Sequence, residues 1–325
     1  MSTKLLDSRP PPNGFMSVSE WEARAHAHEA RLVAVVEPHL TRQARGEKHP
    51  VMDFLFEYYP HRPSALMRWS PGWTWGVALG ERPHPFGPAG VASEAGAWLC
   101  PSRWPVQRLS GMRWIRHLLR ATQDRAGKLD CLGLHEWAMV YEQADVRHPG
   151  LALRLPHAEI RRLVEELPVQ CTHYDAFRFF SASARPLNRW QPRSDDRFDH
   201  EQPACLHSNM DLYKWAFKFS PWVDSDLVAD CFLLAVDIRA LDMEASPYDV
   251  RPLGYGAVCI ETPEGRAEYV QRQAALAERA RPLRERLIGA YEALWAAVEE
   301  LSGASDHPDG IKGFTETSEQ TRVSS

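Results

Sequence analysis

The stretch that decides the fold is DSDLVADCFLLAVDIRALDM, which covers residues 224–243. Asp224 or Ser225 can cap the start of a helix here, because their side-chain oxygens accept hydrogen bonds from the first free amide groups. The stretch therefore predicts a long helix that ends near Met243. The run before it predicts another helix, from Ser208 to Phe219, in which Ser208 is the cap and Asp211 its partner three residues on.

Helix start signals and periodic apolar residues recur on both sides of this stretch. Ser19 and Glu22 have the spacing of a capping box for a first helix over residues 17–36, and Pro50 begins a second helix over residues 50–59. Thr262 and Pro263 begin a late helix that Pro282 should break. Further helices are expected over residues 112–126, 132–143, 158–167 and 283–301. Short strands are expected over residues 151–155, 169–171 and 256–261.

These elements predict an α+β protein that is mainly α-helical, with a small minor sheet in a single globular domain. We expect residues 1–16 to be a disordered tail, residues 17–301 to be one catalytic domain, and residues 302–325 to be a disordered acidic tail. Residues 60–112 are rich in proline, glycine and tryptophan, which predicts an irregular segment.

The composition excludes several classes of protein. The chain has 325 residues, of which 44% are hydrophobic, so it can bury a substantial core. It has no apolar run long enough to span a membrane and no apolar signal segment at its start, so we expect a cytoplasmic protein. The six cysteines contain no C-x-x-C pair, which favours reduced, buried residues over a zinc site.

The charge is close to balanced except in one segment. The formal net charge is −5, and six acids but only two bases lie from Glu299 onward, so the folded body is nearly neutral. Residues 103–128 hold seven bases against Asp124 alone, with Arg113, Arg116 and Arg120 on one side of the predicted helix. Such a face can neutralise DNA phosphates. An exposed amphipathic helix without a ligand is the alternative.

Three segments set histidines and acids among aromatic residues. They supply six candidate catalytic residues, which are His135, Glu136, His173, Asp175, His207 and Asp211. Each polar residue lies in an apolar run that anchors its backbone in the core, and buried polar groups need partners. We therefore expect the three segments to meet in one pocket. For any single histidine, a core residue with a satisfied hydrogen bond is the alternative.

A metal site is a competing use of the same residues. His135, His173 and His207 could bind a divalent iron or zinc ion, with Asp175 or Asp211 as a fourth ligand. The helical spacings typical of such sites are missing, since there is no H-E-x-x-H and no helical Glu-x-x-His pair. The sequence also contains no G-x-S-x-G nucleophile motif, no phosphate-binding loop and no dinucleotide fingerprint.

Five runs together carry a resemblance to a known family. They are HPVMDFLFEYY at residues 49–59, LHEWAMVY at 134–141, THYDAFRFF at 172–180, CLHSNMDLYKW at 205–215 and DMEASPYD at 242–249. Over about residues 45–285 the chain resembles a bacterial, largely actinobacterial family commonly labelled 3-methyladenine DNA glycosylase. The resemblance implies a DNA-repair hydrolase that cleaves the N-glycosidic bond of alkylated purines in damaged DNA without a cofactor.

The residues can be matched to the needs of that reaction. Excising a base requires it to leave the stack and lie between aromatic faces, while a carboxylate supports the sugar cation. Glu136, Asp175 or Asp211 could be that carboxylate. Candidate substrate-binding residues are Trp137, Tyr174, Arg178, Asn209, Tyr213, Lys214 and Trp215. The alternative function is a metal-dependent hydrolase or oxygenase that acts on a small molecule at His135, His173 and His207. A non-catalytic binding protein and any oligomeric state remain open.

Overall fold

A central helix, Ser225–Glu244, has buried residues on all its sides. It packs against the first helix, the last helix and the helix that precedes it in the chain. The Asp224 side chain caps it and accepts a hydrogen bond of 2.9 Å from the amide of Asp226. This confirms the predicted element and chooses Asp224 over Ser225 as its cap. The structure is a computed structural model that describes residues 9–148 and 150–302.

The described part of the chain contains eleven α-helices, which confirms the mainly helical α+β prediction. In chain order they are α1 (Val18–Ala44), α2 (Phe54–Glu57), α3 (Pro63–Leu66), α4 (Leu109–Asp124), α5 (Leu134–Val140), α6 (His157–Glu166), α7 (Tyr174–Phe177), α8 (Arg197–His200), α9 (Leu206–Lys218), α10 (Ser225–Glu244) and α11 (Pro263–Ser302).

Two predicted helix caps differ from the structure. The capping box of α1 uses Ser17 and Glu20 rather than Ser19 and Glu22, because the same three-residue spacing occurs twice in this segment. α9 begins at Leu206 and so contains Ser208.

The minor sheet is not where the sequence placed it. It consists of β1 (Phe15–Met16), β2 (Gly76–Val77), β3 (Val91–Ser93) and β4 (Gly96–Trp98) in the order β1-β2-β4-β3. β1 pairs parallel to β2, and the other two pairings are antiparallel. Three of its strands lie in the segment predicted to be irregular. Of the strands predicted over residues 151–155, 169–171 and 256–261, only isolated bridges at Leu153 and Val169 form.

The long last helix contradicts the expected break at Pro282. α11 runs through this residue because its buried side spans the proline without a change of phase, from Tyr269 and Ala280 to Leu287 and Tyr291. The lost backbone hydrogen bond of an exposed proline is a local cost of about 3 kcal/mol. Continuous burial of this stripe against α4, α9 and α10 offsets that cost.

The predicted N-terminal tail is partly ordered. Residues 9–16 are described, Phe15 and Met16 form β1, and the amide of Asn13 donates to the carbonyl of Thr74 at 3.0 Å. Residues 1–8 and 303–325, which hold the rest of both predicted tails, lie outside the described residues. Among the described helices, none combines the length and hydrophobicity needed to cross a bilayer.

Candidate functional site, a buried polar network

Two packed helices place most of the candidate polar side chains. α9 carries His207, Asp211 and Lys214 at intervals of four and three residues, so they share one face. The neighbouring α10 carries Arg239 and Asp242 three residues apart. The facing sides of α9 and α10 therefore form a charged seam inside an otherwise apolar core.

The three candidate histidines converge on this seam, as the sequence predicted. The rings of His135 and His207 lie edge to face with centroids 4.6 Å apart, and the rings of His207 and His173 lie 5.5 Å apart. His135 comes from α5, and His173 precedes α7. Their convergence is therefore tertiary, since the three residues belong to segments about 35 residues apart.

We call the joined cluster the polar network. Its members are His135, Glu136, His173, Asp175, Arg197, Glu201, His207, Asp211, Lys214, Arg239 and Asp242. No member is more than 8% exposed. The network thus lies inside the protein, in a closed environment where charges interact strongly and each group depends on its neighbours.

One half of the network surrounds Asp242. His135 Nε2 lies 2.7 Å from Asp242 Oδ1, and Arg239 donates to Asp242 Oδ2, also at 2.7 Å. The same guanidinium nitrogen lies 3.3 Å from Glu136 Oε1. Asp242 therefore ties α5 to α10 through two cationic partners.

The other half surrounds Asp211. Its Oδ1 accepts a hydrogen bond of 2.9 Å from the Tyr59 hydroxyl, and its Oδ2 lies 3.1 Å from Arg197 Nη2 and 3.3 Å from His173 Nε2. Arg197 also donates to Glu201 at 2.6 Å. One arginine thus joins acids from two helical segments.

Asp175 completes this half and lies toward its outer side. Arg197 Nη1 lies 3.4 Å from Asp175 Oδ2, and Lys214 Nζ lies 3.8 Å from the same oxygen. Asp175 therefore has cationic partners from both α8 and α9.

The surroundings move the pKa values of the acids in opposite directions. Burial and then the nearby Asp242 charge raise the pKa of Glu136. Burial also opposes ionisation of Asp175, yet the Arg197 and Lys214 cations outweigh it and lower the pKa of Asp175. Such a division is typical of sites where one carboxyl group acts as an acid while another stays ionised.

The pKa values of two histidines are also shifted in opposite directions. Burial disfavours the charged ring of His135, but the adjacent Asp242 carboxylate outweighs it and raises the pKa of His135 well above its ordinary value. Burial, reinforced by the charge of His135, lowers the pKa of His207 to about 3. His207 is therefore neutral at pH 7, beside an imidazole that holds a proton strongly.

The predicted substrate-binding residues divide between the network and the core. Lys214 belongs to the network, and Arg178 Nε lies 3.2 Å from Asp175 Oδ1 at its edge. The Trp215 ring lies beneath Lys214 Nζ at 4.5 Å. Tyr174 is half-buried on α7. The remaining candidates, Trp137, Asn209 and Tyr213, are fully buried in the core.

Those three core residues have structural partners. Trp137 Nε1 donates to the carbonyl of Ala245 at 2.8 Å, and the Asn209 amide donates to the carbonyl of Pro203 at 3.0 Å. The Tyr213 ring packs against Phe232 at 5.0 Å. The surrounding core covers all three of these side chains.

The predicted DNA-binding arginines face another part of the protein. The Arg116 guanidinium lies over the Trp295 ring at 5.1 Å, and Arg120 Nε donates to Glu292 at 2.6 Å. Both partners belong to α11. Arg113 is half-buried and is also engaged. This side of α4 therefore helps to hold α11 in place.

A possible metal site uses a different residue set from the predicted one. His135, His207 and Asp242 each offer a ligand atom within 4.8 Å of the others, whereas His173 pairs with Asp211. A divalent iron or zinc ion accepts such ligands. Two features disfavour a metal ion at this position. The positive charge of the Arg239 guanidinium, 2.7 Å from Asp242, would repel it. The ion would also have to displace the proton shared by His135 and Asp242.

Several members of the network were not among the predicted site residues. Asp242 lies in one of the five runs, so its position in DMEASPYD was an available signal. Arg197 and Glu201 had no such signal, because charged residues in polar segments are usually exposed. Arg239 lies within the apolar run at residues 224–243, so its burial could have been predicted. Cys131, whose Sγ lies 3.4 Å from His135 Nδ1, was predicted to be a reduced, buried cysteine and is partly exposed.

His61 provides a test of burial beside the network. Its ring stacks on Phe217 at 4.1 Å, and burial, followed by the Lys214 and Lys218 charges, lowers its pKa to about 4. The unfolded chain therefore binds more protons between about pH 6.5 and pH 4, so stability falls as the pH falls through this window. His61→Phe keeps the stacking and should remove about 1 kcal/mol of this loss per pH unit.

Urea unfolding followed by circular dichroism between pH 7 and pH 4.5 measures this slope. His26→Phe, at an exposed position on α1, is the matched control and should keep the wild-type slope. Equal slopes for His61→Phe and the wild type would contradict the assignment.

Comparison of the chain with protein-family models, curated proteins and solved structures finds no match. The functional argument therefore depends on the geometry of the polar network.

Proposed function

We propose that this chain is a hydrolase whose catalytic centre is the polar network. The observation that carries the proposal is convergence. All five runs that carry the family resemblance contribute side chains to one buried cluster, through Tyr59, His135, His173, Asp211 and Asp242 and their neighbours. Buried charges are costly to stability, and their concentration at one place is typical of a functional site.

Acid–base chemistry is what the network can supply. Glu136, with a raised pKa, is suited to deliver a proton to a leaving group. Asp175 and Asp211, whose pKa values are lowered by neighbouring cations, are suited to orient water or to stabilise developing positive charge. Lys214 and Arg197 can hold the anionic form of a carboxylate product.

The substrate would enter beside an aromatic rim, which we define as Phe54, Tyr58 and Phe179. Phe54 and Tyr58 stack with centroids 5.0 Å apart, and the Phe179 side chain is 39% exposed. Arg178 lies over Phe179 at 4.6 Å and reaches Asp175 at 3.2 Å. The rim thus connects the surface to the network and suits a small substrate with a planar or anionic group.

Excision of an alkylated base is a second candidate for the same centre. The rim favours it, because aromatic faces beside Arg147 and Arg178 could hold an extruded base and a flanking phosphate. Engagement of Arg116 and Arg120 with α11 weakens it. We therefore rank a small-molecule substrate above damaged DNA. A cytoplasmic location, as the sequence predicts, accords with either substrate.

One experiment separates these alternatives. The purified, untagged protein is assayed against small chromogenic esters, amides and N-glycosides, and against methylated DNA for release of free 3-methyladenine. We expect turnover of a small substrate, with kcat reduced about 10²–10⁴-fold in Asp175→Asn. Asp237→Asn, whose carboxylate forms an exposed pair with Arg279, should retain wild-type activity.

The outcomes are distinct. Purine release together with salt-dependent DNA binding would establish the second candidate instead. Loss of turnover with a chelator, and recovery with iron or zinc, would establish the metal-dependent alternative at His135, His207 and Asp242. Turnover of no substrate in the panel, or full activity of Asp175→Asn, would refute a hydrolase centred on this network.

A further inference from the structure

A thiol, an imidazole and a carboxylate lie in sequence at the His135 end of the network. Cys131 Sγ lies 3.4 Å from His135 Nδ1, and the other ring nitrogen, Nε2, lies 2.7 Å from Asp242 Oδ1. Nε2 faces a carboxylate and therefore carries one proton, and Nδ1 is the ring nitrogen placed to take the thiol proton and leave a thiolate. This is the order of nucleophile, base and orienting acid found in thiol and serine hydrolases.

The acid of this set is held in place from its other side. Arg239 donates to Asp242 Oδ2 at 2.7 Å, so both carboxylate oxygens have cationic partners. Asp242 is fully buried and its pKa is lowered chiefly by His135, against the opposing effect of burial. A carboxylate that is held at both of its oxygens keeps the imidazole in one orientation.

The backbone after Cys131 has an unusual conformation. Leu132 has φ 53° and Gly133 has φ 71°, and α5 begins at the next residue. A left-handed conformation is costly for leucine, and such strained residues are concentrated at functional sites. The turn sets the thiol against the first turn of α5, where His135 lies. A side chain at position 133 would also lie 3.2 Å from the Tyr269 ring.

Cys131 also differs from most of the other cysteines in its exposure. Cys100, Cys171, Cys205 and Cys231 are buried, whereas Cys131 and Cys259 are partly exposed. Of these two, only Cys131 has a histidine against its sulfur, since Cys259 Sγ contacts the Arg154 guanidinium at 3.6 Å. Chemical reactivity requires both access and a base, and Cys131 has both.

We propose that Cys131 is the nucleophile of an acyl-transfer reaction, with His135 as its general base and Asp242 as the residue that positions His135. The proposal rests on the proposed hydrolase function and names its substrate class, which is a small ester, thioester or amide. The sequence predicted only that the six cysteines are reduced and buried, and the proposal adds a catalytic role for one of them.

The reaction balances with water as the only co-reactant. His135 Nδ1 takes the thiol proton as Sγ bonds to the carbonyl carbon, and the tetrahedral intermediate expels the leaving group, which receives that proton. A thioester remains on Cys131. Water then attacks the thioester carbon and gives a proton to His135. The C–S bond breaks, the carboxylic acid leaves, and the proton returns to Cys131.

The test uses p-nitrophenyl acetate with the full-length protein, intact-mass measurement and peptide mapping. We expect one acetyl group on Cys131, no such adduct in Cys131→Ser, and an unchanged adduct in the matched control Cys259→Ser. Iodoacetamide at pH 7 should alkylate Cys131 at least about 10-fold faster than Cys259. Asp242→Asn should slow acetylation of Cys131 by about 10²-fold or more.

A positioning role of Asp242 predicts that Asp242→Asn folds but is acetylated more slowly at Cys131. Thermal melts identify variants that do not fold. If Asp242→Asn does not fold, the iodoacetamide rates of Cys131 and Cys259 in the wild-type protein still decide the question. Equal alkylation rates, or acetylation that spares Cys131, would overturn the proposal.

Failure of this proposal is distinguishable from failure of the hydrolase proposal. Turnover that depends on Asp175 and persists in Cys131→Ser would refute the thiol nucleophile and leave the hydrolase intact. A stable acetyl group on Cys131 without turnover of any substrate in the panel would support the nucleophile and refute the hydrolase.

Discussion

Asp211→Ala is expected to lower the free energy of unfolding by about 3–5 kcal/mol, because it removes one partner of a buried ionic network. The side chain is 1% exposed and accepts contacts from Tyr59, Arg197 and His173. Its removal leaves the Tyr59 hydroxyl without its acceptor and leaves Arg197 short of one of its three acids. Uncompensated buried charge is among the most destabilising changes in a folded protein.

The stability that Asp211→Ala loses should depend on pH in a definite direction. Burial opposes ionisation of Asp211, but Lys214, His173 and Arg197 outweigh it and lower the pKa of Asp211 far below its ordinary value. The stabilisation is therefore complete above the unfolded-state pKa of about 3.9 and is lost as the pH falls toward the folded-state pKa. The difference between Asp211→Ala and the wild type should consequently be constant between pH 6 and pH 8.

Urea unfolding at pH 7 measures the effect. Asp237→Ala is the matched control, since its carboxylate pairs with Arg279 at 2.6 Å but is 50% exposed, and it should cost less than about 1 kcal/mol. A loss below about 1 kcal/mol for Asp211→Ala would mean that Arg197 and Tyr59 find other partners. The network would then not depend on this carboxylate.

Gly265→Ala is expected to destabilise the protein by about 2–4 kcal/mol, because there is no space for a methyl group at this position. A Cβ atom there would lie 1.9 Å from the carbonyl oxygen of Cys259 and 2.3 Å from its carbonyl carbon. That carbonyl also accepts hydrogen bonds from the Thr262 amide, at 2.9 Å, and the Thr262 hydroxyl, at 3.1 Å. Relief of the clash must therefore distort the turn that starts α11.

Gly289→Ala is a control within the same helix. Position 289 is exposed, and an added Cβ meets no atom within 4 Å, so alanine should stabilise the protein by about 0.5–1 kcal/mol. Thermal unfolding of the two variants should thus give melting temperatures on opposite sides of the wild-type value. A stabilising or neutral Gly265→Ala would contradict the close packing of α11 on the turn at Cys259.

Local signals in the sequence were enough to predict the central helices. The Asp224 cap and the apolar run after it gave α10, and the Pro263 start gave α11. These signals act between residues within one turn of each other, so they survive in any tertiary context. The expected break at Pro282 failed because burial of the stripe from Tyr269 to Tyr291 outweighs a local propensity.

The sheet could not be predicted in the same way. Its strands are two or three residues long, too short for an alternating pattern, and β1 pairs with β2 across about sixty residues of chain. Only the packed structure brings Phe15 beside Gly76. The strands predicted near Leu153 and Val169 had the composition of strands but found partners only for isolated bridges.

The sequence by itself determined that His135, His173 and His207 would be buried, since they lie in apolar runs that anchor them in the core. It carried no such signal for Arg197 and Glu201, which are buried in the same network. The tertiary structure decided their partners. Asp242 pairs with His135 from 107 residues away, and Cys131 acquires a base because a left-handed turn sets its sulfur against that same imidazole. Partner choice is a property of packed helices and turns, because hydrogen bonds act over a few ångströms in space, whatever the separation along the chain.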